Sequence, residues 1–556
     1  MKGRGMRSRL AFKRILIAEL IGVSAIGMIA PAHGFEIDSG NEDVKIRWDT
    51  TVKYSTAYRV KDRSPGLSTC AICTNQNDGN LNFDKGFVSN RLDLFSEFDV
   101  VTRHFGARVS GAGWYDSVYN TSNDNTSPTS NSIPFNTFPR GTRSLMGRKA
   151  EILDAFVFGK GEIEDMPVSG RLGRHALVWG ESLFYGSNGI AGTMAPTDLI
   201  KLTSVPNAQF KETVLPTGKL SGQIQVSPTA SLGAYYQYEY RKTRFVPVGA
   251  YLSSSDTLGE GAQRIIAGNP FAPVVPQFSY RGDIEPRDSG QYGTQLRLRS
   301  EDLDTDFGLY AIRYHATGPS NNLTTLTGFP PALTPSSYQW VYAEGIKAFG
   351  ASFAKTVGEV ALAGEVSVRR DTPLASSGQA ILRSIGVNTT LNNNSNPGYA
   401  VGNTAHAQLS WIASLQPSFI AAESSLVGEV AWNTRTSVTR NASMLNPNAD
   451  KSAWAFRMVY TPTYRQAYPG LDLSVPIGLS YTHGRSSAVG SGFGVNRGGD
   501  MNIGLTGTYL NDWTFTLNYI HFYGKEAPST DAANNIQFLQ ALKDRDYLTF
   551  SVRTSF

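Results

Sequence analysis

From position 44 to 60 the residues alternate. Val44, Ile46, Trp48, Thr50, Val52, Tyr54, Thr56, Tyr58 and Val60 share one side, and Lys45, Arg47, Asp49, Thr51, Lys53, Ser55 and Arg59 share the other. A period of two held this long predicts a strand with one apolar and one polar face. The pattern returns at Leu409, Trp411, Ala413 and Leu415 against Gln408, Ser410, Ser414 and Gln416. It is cleanest at Leu471, Leu473, Val475, Ile477, Leu479 and Tyr481 against Asp472, Ser474, Gly478 and Ser480, and it closes with Trp513, Phe515, Leu517 and Tyr519 against Thr514, Thr516 and Asn518. Followed along the chain, it predicts strands near 43–60, 86–100, 104–118, 150–159, 168–180, 219–227, 231–245, 289–300, 306–317, 338–354, 358–370, 403–416, 424–438, 451–462, 470–483, 500–510, 512–523 and 546–556. That is about 18 strands, within a range of roughly 16 to 20 set by the precision of such boundaries.

The connections decide between architectures. Brief turns fall at Thr102-Arg103-His104, Ser227-Pro228-Thr229, Asp302-Leu303-Asp304, Thr356-Val357-Gly358 and Asn511-Asp512. Between them lie long stretches rich in Ser, Asn, Thr, Gly and Pro, such as 120–140, 247–287, 318–337 and 371–403. A soluble sandwich would have short connections at both ends, whereas short turns opposite long loops are what a transmembrane antiparallel barrel predicts. Past the first residues no charge-free apolar stretch is long enough for a membrane helix, so any membrane residence uses strands.

The chain begins differently. Lys2, Arg4, Arg7, Arg9, Lys13 and Arg14 precede an apolar run from Ile15 to Ala30, and Pro31-Ala32-His33-Gly34-Phe35 follows. This is the layout of a secretory signal peptide cleaved before Phe35; as a retained anchor the run is short and interrupted by Glu19. The predicted division is thus a leader over 1–34 and one all-β barrel over 35–556, with a candidate lumen-folded segment at 181–218. The leader also accounts for the charge. Its six basic residues and one acid leave 51 − 6 = 45 basic and 46 − 1 = 45 acidic residues, so the formal +5 disappears from the mature chain. No polybasic footprint remains to bind nucleic acid.

The final strand alternates back from Phe556 through Thr554, Val552, Phe550 and Leu548. It resembles the closing strand through which outer-membrane proteins are recognised by the barrel-assembly machinery, with Thr554 where an aromatic is common. Further residues carry a family resemblance: Arg171-Leu172-Gly173-Arg174-His175-Ala176-Leu177-Val178-Trp179-Gly180-Glu181-Ser182, Pro196-Thr197-Asp198, Lys211-Glu212, Tyr236 to Arg244, and Asp544-Arg545-Asp546. Together they resemble the proteobacterial, pseudomonad-type exported family known as domain of unknown function 1302. The chain reads as a divergent member, with Ala195-Pro196-Thr197-Asp198 and Val205-Pro206-Asn207 where Asn-Pro-x-Asp and Pro-Gly are expected. The resemblance implies a cell outer-membrane location. It also implies association with an exporter of the resistance-nodulation-division type and a periplasmic partner, and hence the handling of hydrophobic compounds.

The connection from Glu181 to Gly218 is long, carries charges of both signs, and holds Phe184, Tyr185, Met194 and Phe210. Folded into the lumen, it would narrow the pore and set its selectivity. The candidate lining residues are Arg171, Arg174, His175, Trp179, Glu181, Asp198, Lys201, Lys211 and Glu212; the alternative is that they are ordinary charges of a polar lumen wall. Cys70 and Cys73, the only cysteines, lie in the first long loop and are expected to form a local disulfide in the oxidising envelope. No metal site is expected, because zinc would need two further ligands nearby. The six histidines of the mature chain are scattered, no Gly-x-Ser-x-Gly elbow is present, and no catalytic residue or cofactor is assigned. The expectation is an outer-membrane channel or transporter for a small or hydrophobic solute, in contact with outer-membrane lipids. The alternatives are a surface structural or receptor barrel binding through its loops, and a barrel lipid hydrolase.

Overall fold

The computed structural model describes residues 35–127, 130–329, 331–384 and 387–556, so the leader expected over 1–34 lies outside the described residues. The spanning strands are β1 (Lys45–Arg59), β2 (Gly86–Val101), β3 (Phe105–Asp116), β4 (Arg148–Ile163), β5 (Met166–His175), β6 (Thr217–Ser227), β7 (Ala230–Gln237), β8 (Gln291–Ser300), β9 (Thr305–Tyr314), β10 (Ile346–Val357), β11 (Val360–Pro373), β12 (Val401–Leu415), β13 (Glu423–Arg440), β14 (Ser452–Tyr468), β15 (Leu471–Ser474 and Ile477–His483), β16 (Gly499–Tyr509), β17 (Trp513–Tyr523) and β18 (Tyr547–Ser555). Each pairs antiparallel with its neighbour in sequence, and β18 returns to β1 over Thr51–Arg59, closing an eighteen-stranded barrel. The two halves of β15 are one strand interrupted at Val475 and Pro476, because both pair with β14 and β16. Phe35–Ile37 pairs with the start of β1 and continues the row that Phe556 ends. The eighteen strands follow the alternation of the sequence. One predicted strand, 338–354, is two: its first residues belong to Ala332–Val341, and β10 begins only at Ile346.

Burial is inverted relative to a soluble protein. On β2, Leu92 and Leu94 point outward and are 52% and 48% exposed, while Asp93 between them is 3% exposed. An apolar outer band with a polar interior is the arrangement hydrocarbon demands of a closed sheet. Exposed aromatics gather at both ends of the band, Trp48, Phe98, Phe105 and Trp513 near the turns and Tyr58, Tyr115, Tyr292, Trp432 and Trp454 near the loops, where amphipathic rings meet the headgroups. The chain is an outer-membrane β-barrel.

The long loops are more ordered than their composition suggests. Arg264–Ile266, Gln277–Tyr280, Asn321–Phe329, Ala332–Val341, Gln379–Ser384 and Val387–Asn388 form a second, six-stranded sheet outside the barrel. Two buried cores join the loops to the barrel. One joins Leu323, Val341, Ile381 and Tyr399 to Tyr235, Tyr310 and Tyr314 of the inner wall, and the other joins Phe83, Tyr119, Phe138 and Tyr251 to Tyr547. Asp544-Arg545-Asp546 ties the second core together. Arg545 donates to the carbonyl of Tyr251 at 2.7 Å, Asp544 accepts from Asn80 at 2.8 Å, and Lys61 reaches Asp546 at 2.9 Å.

Cys70 and Cys73 are joined by a disulfide in the first loop. In the loop-entropy picture so small a ring contributes about 2 kcal/mol at most, against a barrel closed by eighteen paired strands. Replacing both cysteines by serine is therefore expected to leave the outer-membrane level and the heat-dependent gel shift unchanged; loss of either would assign the ring a role in assembly.

Candidate functional site

An eighteen-stranded barrel is roughly 35 Å across, from a strand spacing of about 4.8 Å and a tilt near 40°. Left empty, such a lumen is an aqueous channel. The chain between β5 and β6 occupies it. His175 and Thr217 are register partners on adjacent strands, so a tight turn would suffice to join them; instead residues 176–216 leave the wall and return. At about 3.4 Å per extended residue a single crossing takes roughly ten residues, which this segment supplies in both directions.

Its first arm reaches β11, β12 and β13. The Glu365 carboxylate accepts from the backbone N–H of Glu181 at 2.9 Å and of Ile190 at 2.7 Å. One Glu429 oxygen accepts from Leu183 at 3.2 Å, from Tyr185 at 2.9 Å and from Phe184. Arg369 donates to the carbonyls of Ser187, Asn188 and Gly189 at 3.0, 2.8 and 2.9 Å. The Asn188 amide lies among Gln408, His406 and Asn433. The Trp179-Gly180-Glu181-Ser182 motif makes this approach possible. Gly180 has φ +96°, where a side chain would be strained, and a Cβ there would stand 2.6 Å from Glu365. At Gly189 a Cβ would meet the other oxygen of the same carboxylate at 2.3 Å. Trp179 is held edge-on to Tyr235, ring centres 5.3 Å apart.

The second arm lies against the opposite wall. Leu199–Ser204 is a short helix whose N-cap Asp198 accepts from the Lys201 N–H, and Phe210–Thr213 is another, closed by a capping box between Gln209 and Glu212, so part of the charge in this stretch serves helix ends. Lys201 Nζ lies 2.7 Å from Asp93 and 3.1 Å from Glu212, above the Trp114 ring. Lys211 pairs with Glu97 over Phe95. Asp198 is bound by Arg244, which also reaches Glu151 at 2.7 Å. Asn207 donates to Thr516 and Ser551 on β17 and β18 at 2.7 and 2.9 Å. Asp93 and Glu97 lie on β2 and Glu365 on β11, nine strands apart in a ring of eighteen, so the two arms hold diametrically opposed walls.

Each candidate residue has a place. Lys201 is 3% exposed and, with Asp198 and Glu212, is tied into buried ion pairs. Lys211, by contrast, keeps part of its side chain open. His175 bonds Ser221 through Nε2 at 2.8 Å and the Gly173 carbonyl through Nδ1 at 3.1 Å, with no carboxylate to orient it. Arg171 lies 5.7 Å from the Phe156 ring and has no ion pair among the described residues. Arg174 stands apart from the lumen: it shares the outward face of β5 with the exposed Leu172 and pairs with Glu239 at the loop end of the wall. The Glu181 carboxylate points toward β8, 3.7 Å from Arg297, whose side chain is half exposed. Burial raises the Glu181 carboxyl to about 7, against the pull of Arg297 and with Glu365 adding to the rise. Glu365, Arg369, Glu429, Asn188, Arg244 and Arg297 were not among the candidates of the sequence.

Among known proteins, a family model described as protein of unknown function (DUF1302) matches residues 15–556. No curated protein matches. Solved structures similar to the chain include Pseudomonas aeruginosa OccD3 (OpdP), 8% identical over 95% of this chain and 93% of that one with a TM-score of 0.40. Acinetobacter baumannii OccAB4 is 9% identical over 92% and 98%, TM-score 0.43. A BenF-like porin from Pseudomonas fluorescens Pf-5 is 10% identical over 92% and 98%, TM-score 0.39.

Proposed function

The chain belongs to the DUF1302 family, and from that premise we propose an outer-membrane channel in which residues 181–218 restrict the passage of a small solute. The observation that carries this reading is the bridging of opposed walls by one chain segment, with Glu365 and Glu429 on one side and Asp93 and Glu97 on the other. A structural barrel has no need of such a crossing, since the strands close without it. Beside the segment, Arg171, Arg297 and Lys211 keep charge open to the lumen and Phe184 offers an aromatic surface, which suits a solute that is partly apolar and partly polar. The ordered outer sheet favours a second reading, a receptor barrel that binds at its loops; conduction separates the two. Insertion is expected to use the β18 strand ending in Phe556 as the signal to the assembly machinery.

Planar bilayers test the proposal. The purified protein is expected to conduct, and its cation preference to rise as pH passes upward through about 7. The sign follows from the acid: below that pH the Glu181 carboxyl is neutral and Arg297 acts unopposed on a permeating ion, while above it a fixed negative charge is added where screening by water is weak. Glu181→Gln should flatten the profile. A barrel silent at every pH would favour the receptor reading, and a profile unchanged by Glu181→Gln would remove Glu181 from the path.

A further inference from the structure

At the outer mouth a polar cavity of about 330 Å³ lies between three loops, lined by Asn448, Arg485, Asn496, Arg497, Lys525 and Asp531 together with Gln537 and Leu539. Arg485 is neutralised by Asp450, with bonds of 3.1 and 2.8 Å. Arg497 and Lys525 have neither an ion pair nor a side-chain hydrogen bond among the described residues. Asp531 brings one negative charge to the lining, held in place by the N–H groups of Ala533 and Asn535 at 2.9 Å and by Asn448 at 2.9 Å and not ion-paired to either cation, so with Arg497 and Lys525 it leaves a net charge of 2 − 1 = +1. Both side chains are exposed, so water screens their mutual repulsion, and the net positive charge is open to an anion arriving from outside. The amides are fixed beforehand: Asn496 accepts from the Gly484 N–H at 2.9 Å, leaving its NH2 free, and Gln537 donates to the Pro528 and Thr530 carbonyls, leaving its oxygen free. A net positive charge for an anionic group, with pre-set amide donors and acceptors for hydroxyls, describes a site for a charged sugar. The volume falls at the small end of ligand sites, about 300–1,000 Å³.

We propose that this cavity binds a monosaccharide carrying a carboxylate or phosphate, through Arg497 and Lys525 to the anion and Asn448, Asn496 and Gln537 to the hydroxyls. Such a sugar reaches the outer surface either free in the medium or as part of the lipopolysaccharide core. Calorimetry on detergent-purified full-length protein, freed of lipopolysaccharide, would use galacturonate and glucose 6-phosphate as probes and galactose as the neutral control. At least one charged probe is expected to bind and galactose to bind at least tenfold more weakly. Arg497→Gln/Lys525→Gln should weaken the charged probe at least tenfold, and Arg281→Gln on a neighbouring loop should not. The gel shift of each variant verifies that the barrel is assembled, and the single Lys525→Gln variant, expected to weaken the probe severalfold, serves if the double one fails to assemble. If the natural source is the lipid, protein purified without stripping will carry lipopolysaccharide that the double variant loses; if it is a free solute, the lipid content of the two will match. Failure of both charged probes to bind, or binding that survives the loss of both cations, overturns the proposal whichever source is assumed. Because conduction is not the readout, the result stands apart from the channel reading.

Discussion

Replacing residues 176–216 by a short turn from His175 to Thr217 is expected to raise single-channel conductance severalfold in a barrel that still assembles. Assembly should survive because His175 and Thr217 are already neighbours in register and because the wall groups released, Glu365, Glu429, Asp93 and Glu97, would then face water rather than an empty apolar space. The conductance should rise because the deleted residues are those that tie β11 and β13 to β2 across the interior. The measurement is conductance in planar bilayers beside the heat-dependent gel shift. An assembled deletion variant with wild-type conductance would show that the segment is not the constriction, and one that conducts nothing, like its parent, would put the receptor reading ahead.

The second large effect is expected from Glu365→Leu/Glu429→Leu. Five backbone N–H groups of the first arm, those of Glu181, Leu183, Phe184, Tyr185 and Ile190, depend on these two carboxylates. A buried donor left without a partner costs about 1–3 kcal/mol, so the loss of five exceeds what one short arm can bear and the arm should leave the wall. Single-channel records should then show frequent transitions to a larger state, and protease added from outside should cut near Tyr185. Glu429→Gln alone retains the single oxygen that accepts from Leu183, Phe184 and Tyr185 and should stay close to wild type, whereas Glu365→Gln turns an NH2 toward one of its two N–H partners and should fall between. Quiet traces from the leucine variant would mean that Arg369 and Asn188 hold the arm by themselves.

The strands were legible because two solvents write on them at once. Lipid outside and a polar lumen inside impose the period of two even where the strand is broken, as at Val475 and Pro476 between the halves of β15. The outer sheet was not legible. Stretches such as 318–337 and 371–403 are rich in Thr, Asn and Ser, a composition shared by coil and by solvated strands, and their pairing partners lie in other loops. The segment from 181 to 218 could be picked out by its length, its mixed charge and its aromatics, but the use made of each charge could not. Lys201 reads like Lys211 in sequence, and both meet a carboxylate of β2; what separates them is that Lys201 is buried between Asp93 and Glu212, whereas Lys211, paired with Glu97, keeps part of its side chain open. Reversing Lys201 would therefore break a buried anchor rather than report on ion selectivity, whereas Lys211→Glu spares the buried cluster but sets a carboxylate against Glu97. Glu365 and Glu429 look like ordinary inward-facing polar residues of their strands. Their importance depends on a backbone that arrives from more than 170 positions away, and no local pattern encodes that.

The seam between β1 and β18 carries a consequence in time. Thr51 and Ser555, hydrogen-bonded side chain to side chain, are 504 residues apart in sequence, and at a synthesis rate of about 5–20 residues per second the interval between them is roughly 25–100 s. Throughout it β1 is an unpaired edge with one apolar face, the kind of surface that adds foreign strands. Something other than the chain itself must guard that edge until the last strand is made. A premature stop anywhere before Tyr547 should thus yield not a narrower barrel but an open sheet, and the cell should meet such a product as an aggregate to be degraded.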